Sequence, residues 1–159
     1  MNLKGCYSHK SDDWKTPLDL YWAFMNQGFI DCFKYESTYN EFEREYNNEH
    51  LFINPPYSKL EEVVNWIKKQ YMNNCFICLL IPSRTDTKYF HELLKLNPFI
   101  YFIKGRLHFN ESSDSAPFPS VILVLWKHKI DKYNGYDYGD ISKFIKTYLD
   151  RREVVRYNT

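Results

Sequence analysis

Apolar positions along this chain follow two rhythms that take turns. Leu18, Tyr21, Trp22 and Met25 recur at helical spacing, opened by Thr16-Pro17 as cap and first turn and closed by Gly28. Gly28 to Phe33 then reads as a short strand, and a polar, charged stretch from Lys34 to His50 separates it from the strand Leu51 to Ile53. Leu60, Val63, Val64, Ile67 and Tyr71 restore the helical period. Cys75 to Ile81 is a continuous apolar run stopped by Pro82, the pattern of a strand covered on both faces. A helix capped by Thr85 or Asp86 follows, with Tyr89, Phe90, Leu93 and Leu94 on one side, and then a strand at Phe99 to Ile103. Leu107 to Phe109 and Ser120 to Trp126 read as a closing strand pair around the polar loop Asn110 to Pro119. A last helix runs from its cap Asp140 through Ile141, Phe144, Ile145, Tyr148 and Leu149.

Alternation of strands and helices predicts an α/β fold with a largely parallel sheet, in which ligands lie beyond the carboxyl ends of the strands. Asn54 to Tyr57 and Pro82 to Asp86 are two such ends. At 159 residues the chain reads as a single domain, residues 1–159, with a polar arm at 1–15 and a basic tail at 151–159.

Composition narrows the function. Aromatic residues make up 19% of the chain, enough to serve both a core and base stacking. The formal net charge of +1 announces no global nucleic-acid field, so any such footprint is local. No apolar run approaches the ~20 residues of a membrane span and Met1 to Lys10 lacks a signal-peptide core, so a cytoplasmic protein without a membrane partner is expected. Cys6-x-x-His9 and Cys75-x-x-Cys78 superficially offer zinc ligands. Cys75 and Cys78 flank a strand, however, and their odd spacing sends them to opposite faces, so buried thiols and no metal are expected.

The chemistry concentrates in Asn54-Pro55-Pro56-Tyr57. Two prolines fix their own φ and bias the residues before them to extended geometry, leaving Asn54 and Pro55 little freedom. The Asn54 side-chain oxygen and the Pro55 carbonyl can then accept hydrogen bonds from an exocyclic amino group, while the Tyr57 ring offers a stacking face. Such hydrogen bonds localise the nitrogen lone pair, so attack on an electrophilic methyl needs alignment and fixed dipoles rather than a base. His108 is read as a surface residue.

Together with Trp14-Lys15-Thr16-Pro17, Ile30-Asp31, Ile81-Pro82-Ser83-Arg84-Thr85-Asp86-Thr87, Gly105-Arg106-Leu107-His108-Phe109 and Ala116-Pro117-Phe118-Pro119-Ser120, this motif resembles the phage and prophage DNA N6-adenine methyltransferases of the Dam type. The resemblance implies a shortened, Rossmann-like class I fold that uses S-adenosylmethionine on double-stranded DNA, with the target adenine flipped out. It implies a catalytic pocket of Asn54, Pro55, Pro56 and Tyr57, with Trp14, Thr16, Pro17 and Asp31 on the cofactor side. Between Asp31 and Asn54 the chain is shorter and bulkier than the family pattern, with Cys32-Phe33-Lys34-Tyr35 after the aspartate. Glu36, Glu43 or Glu49 are then candidate acids for the ribose. The same departure supports an alternative, a degenerate methyltransferase-like DNA-binding or interaction module without cofactor binding. For DNA contact the candidates are Arg84 and Arg106, with lesser roles for Lys88 and His108, and Phe118 either wedges at a vacated base or plugs the core.

Overall fold

The apolar run Phe76–Pro82 is the strand around which the molecule is built, in a computed structural model that describes residues 14–34, 37–128 and 135–149. Every residue of that strand is buried, because it has a paired strand on each side and helices over both faces. In chain order the elements are α1 (Leu18–Met25), β1 (Ile30–Cys32), β2 (His50–Ile53), α2 (Leu60–Met72), β3 (Phe76–Pro82), α3 (Lys88–Leu94), β4 (Phe99–Ile103), β5 (Ser120–Leu125), β6 (Tyr136–Gly139) and α4 (Ile141–Phe144). A wider helical turn, Ile145–Leu149, extends α4. The strands form a six-stranded sheet in the order β1-β2-β3-β5-β4-β6. The fold is α/β.

The strand period of two sorts side chains into two cores. Leu51, Ile53, Ile77, Leu79 and Ile81 pack with Val63, Val64 and Ile67 of α2 and with Phe90 and Leu93 of α3. Phe52, Phe76, Cys78 and Leu80 pack on the other face with Leu20 and Phe24 of α1 and with Phe144. There Phe24 stacks on Phe52 with ring centroids 4.2 Å apart. Cys75 belongs to the first core and Cys78 to the second, so the two thiols face apart. Among the described residues no helix is long and apolar enough to cross a membrane.

The sheet is largely parallel, as expected, with one exception: β1, β2, β3, β4 and β6 run one way, and β5 lies antiparallel between β3 and β4. Three sequence expectations are corrected. Leu107 to Phe109 is not a strand; Leu107 and Phe109 are buried, but the Leu107 carbonyl accepts from Ala116 N–H within the loop. The edge strand β6, parallel to β4, was not expected. Thr16 does not cap α1: Pro17 stands at the cap position without a side-chain bond, and the Thr16 hydroxyl accepts from Asn54 instead. The first thirteen residues of the polar arm, including Cys6 and His9, the basic tail 151–159, and Tyr35 and Glu36 lie outside the described residues.

Because β1 to β4 run one way and β5 runs the other, the exits of β1 to β4 meet the entrance of β5 at one edge of the sheet. Ser83 N–H donates to the Pro119 carbonyl there, at 2.8 Å. The proline motif, the Pro82 to Thr87 turn and the Asn110 to Pro119 loop are thereby neighbours.

Candidate active site at the carboxyl end of the sheet

Pro56 sits at φ −63°, the value that its ring imposes, with an extended ψ of 116°, and Tyr57 opens a short helical turn into α2. Asn54 therefore leaves β2 with a fixed backbone and a half-buried side chain. All of its polar atoms are engaged. Nδ2 donates to the Trp14 carbonyl at 2.5 Å and to the Thr16 hydroxyl at 3.0 Å, while Oδ1 accepts from the Tyr57 hydroxyl at 2.8 Å. A backbone carbonyl can only accept, so Trp14 determines which end of the amide is NH2 and aims Oδ1 the other way. Burial, then the nearby Tyr89, pushes the Tyr57 phenol well above its ordinary range, which keeps it a proton donor.

Asn54 and Pro56 open onto a cavity of about 460 Å³, within the range of small-molecule sites. One wall is Trp14, Thr16, Leu18 and Tyr21; the other is Asp31, Phe33, Tyr39, Glu41 and Phe42. Phe33 turns the chain after β1 in the left-handed region, at φ 60°, and lays its ring edge-on to Phe42 and Trp66 at 5.0 and 5.2 Å. Two residues of α2 hold this connector in place. Trp66 Nε1 donates to the Arg44 carbonyl at 2.9 Å, and the fully buried Gln70 accepts from Tyr46 N–H at 2.9 Å. Tyr46 in turn donates its hydroxyl to Glu41 Oε1 at 2.7 Å.

Glu41 was not among the acids singled out from the sequence. Glu43 is exposed and bonded to Asn40 Nδ2, Glu49 is exposed, and neither lines the cavity, whereas Glu41 is buried beside Asp31. The signal lay in Asn40, whose side chain caps the turn Glu41–Glu43 by accepting from Phe42 N–H and turns the first acid inward. Burial raises the Asp31 carboxyl from 3.8 to about 6, with Lys34 pulling it down and Glu41 pushing it up. Two carboxylates and a ring of aromatic side chains suit a ligand with hydroxyl donors and a flat heterocycle.

Of the predicted residues, Trp14, Thr16, Asp31, Asn54 and Pro56 come together at the cavity, while Pro55 is buried beneath it and Pro17 heads α1. Two expectations are revised. The Tyr57 ring is not displayed in the cavity but packs edge-on against Phe118, centroids 5.7 Å apart. Phe118 is 8% exposed and also meets Trp14 at 5.0 Å, so it is a core plug rather than a surface wedge. Arg84 and Arg106 lie outside the cavity, at the turn after β3 and the bend after β4. Arg106 is exposed, with a long 3.4 Å bond to the Ala116 carbonyl, and Lys88 and His108 are exposed.

A family model described as DNA N-6-adenine-methyltransferase (Dam) matches residues 6–157. Neither a curated protein nor a solved structure matches the chain.

Proposed function

The chain belongs to the DNA N-6-adenine-methyltransferase (Dam) family, and from that premise we propose that it moves the methyl group of S-adenosylmethionine to N6 of an adenine flipped out of double-stranded DNA, on a shortened Rossmann-like class I scaffold. The observation that carries this reading is Asn54, whose NH2 is committed to Trp14 and Thr16 so that its oxygen is left to accept from a target amino group. That oxygen has a second lone pair beyond the Tyr57 bond.

Bound in the cavity, S-adenosylmethionine supplies an electrophilic methyl. Asp31 and Glu41 are the acceptors available to ribose hydroxyls, and Phe33, Tyr39 and Phe42 the walls available to adenine. Asn54 accepts a hydrogen bond from N6–H, which localises the nitrogen lone pair and stabilises the positive charge that develops there as the N–C bond forms and the S–C bond of the sulfonium breaks, leaving the demethylated thioether. The N6 proton is lost to water after transfer, so no residue serves as a base. N6 is occupied by pairing inside a duplex, hence the flipped base. Arg84 and Arg106 are the candidate phosphate contacts that would hold the duplex over this edge of the sheet.

A second reading is a DNA-binding module that has lost its cofactor. It draws on the connector between β1 and β2, residues 33–49, where the described residues form a short turn and no strand, leaving β1 at the edge of the sheet. Calorimetric titration separates the two. The enzyme reading expects heat of binding for S-adenosylmethionine, or its demethylated product, in the micromolar range, corresponding to about −8 kcal/mol. A flat titration favours the module.

A further inference from the structure

The amide of Asn54 is only as well aimed as the segment it donates to, and Trp14 to Leu18 is anchored from a distant part of the chain. Lys15 N–H donates to Asn110 Oδ1 at 2.7 Å, and Asn110 N–H returns a bond to the Lys15 carbonyl at 3.1 Å. Leu18 N–H, a donor that helix geometry leaves unpaired at the start of α1, donates to Glu111 Oε1 at 3.0 Å. The Trp14 ring is wedged edge-on between Phe109 and Phe118, centroids 5.6 and 5.0 Å away. Asn110 and Glu111 do this from consecutive left-handed conformations, φ 58° and 52°. That backbone is unfavourable for glutamate, and the three bonds to 15–18 offset it.

We propose that Asn110 and Glu111 are positioning residues for methyl transfer: by fixing Trp14 to Leu18 they hold the Trp14 carbonyl and Thr16 hydroxyl where the Asn54 amide must point. Neither residue touches the reacting atoms. The proposal rests on the adenine methyltransferase reading for its kinetic consequence, but its structural part, the orientation of Asn54, stands apart from it. It also gives the Asn110 to Pro119 loop a task. The loop lies at the same edge as the candidate phosphate contacts, and its first two residues tie that edge to the catalytic amide.

The test uses Asn110→Gly, which keeps the left-handed backbone and its N–H but removes Oδ1, and Asn110→Asp, which restores an acceptor. Displacing a reacting group by about 1 Å can cost on the order of 10²-fold, so Asn110→Gly should lower kcat by about 10-fold or more. KM for DNA should stay within about threefold, and the affinity for S-adenosylmethionine, measured separately because Trp14, Thr16 and Leu18 also line the cavity, should fall by less than kcat does. By NMR, the Asn54 side-chain NH2 should exchange with solvent faster in Asn110→Gly, and both readouts should return in Asn110→Asp. Glu111→Ala, which leaves the Asn110–Lys15 pair intact, should move them the same way by less, and serves if Asn110→Gly does not fold. Unchanged kcat and unchanged amide exchange overturn the proposal, as does a raised KM at constant kcat. Should the wild-type protein transfer no methyl group, the functional reading falls and the amide exchange alone decides the positioning role.

Discussion

Asp31→Asn should make the protein more stable while weakening its hold on S-adenosylmethionine. The Asp31 carboxyl rises from 3.8 to about 6 on folding, chiefly through burial, with Lys34 acting against the rise and Glu41 adding to it. A raised carboxylate means that the folded state resists ionisation. Below about pH 4 the group is protonated in both states and costs nothing; between about 4 and 6 the unfolded chain ionises first and stability falls; above about 6 the whole penalty is present. A rise of this size corresponds to about 3 kcal/mol, and the partial solvent access of the site brings it to about 2 kcal/mol. For a chain of this length that is about 6 °C in Tm. Thermal melts of wild type and Asp31→Asn at pH 8 and pH 4 check it: the variant should melt higher at pH 8, and the gap should close toward pH 4. Calorimetry on the same samples should show weaker cofactor binding, since a carboxylate acceptor has become an amide. A variant that melts lower at pH 8, or a difference that ignores pH, would refute the assignment of Asp31 as a costly binding carboxylate.

Asn54→Ala removes the acceptor for the target amino group and should lower single-turnover methyl transfer by about 10²-fold or more, while an unchanged rate takes Asn54 out of the chemistry. Phe118→Ala empties a site walled by Trp14, Tyr57 and Phe109 and should cost about 3–5 kcal/mol in denaturant unfolding with DNA affinity per folded molecule preserved. A stable variant with weakened DNA binding would return Phe118 to the interface. Arg106→Ala should weaken binding to all duplex sequences alike and reduce the salt slope of log K by about 1, whereas a sequence-selective loss would mean that Arg106 reads a base edge.

Much of the fold was legible where periodicity and punctuation agree. Pro82 stops a run buried on both faces, Gly28 ends α1, and the strand Phe99–Ile103 falls where its apolar residues are. What the residues cannot state is pairing. Leu107 and Phe109 alternate with Arg106 and His108 as in a strand and are buried, yet no partner strand bonds them. β6, Tyr-Asp-Tyr-Gly, lacks an apolar alternation because it is an edge whose tyrosines stay exposed. At the site, the proline motif announced itself through local stiffness. Its long-range bond did not: the amide of Asn54 is oriented by Trp14, forty residues earlier, a property of the tertiary arrangement that no window of sequence contains. Glu41, by contrast, is turned inward by near neighbours, the Asn40 cap and the Tyr46 hydroxyl.

The central claim is that a methyl group ends on adenine N6. It is tested most directly by incubating the purified protein with tritium-labelled S-adenosylmethionine and unmethylated duplex DNA, digesting the DNA to nucleosides and separating them. The label should run with N6-methyldeoxyadenosine and should be lost when Asn54→Ala replaces the wild type. Label in a methylated cytosine or in the protein, or no label from a protein that binds the cofactor by calorimetry, would contradict it.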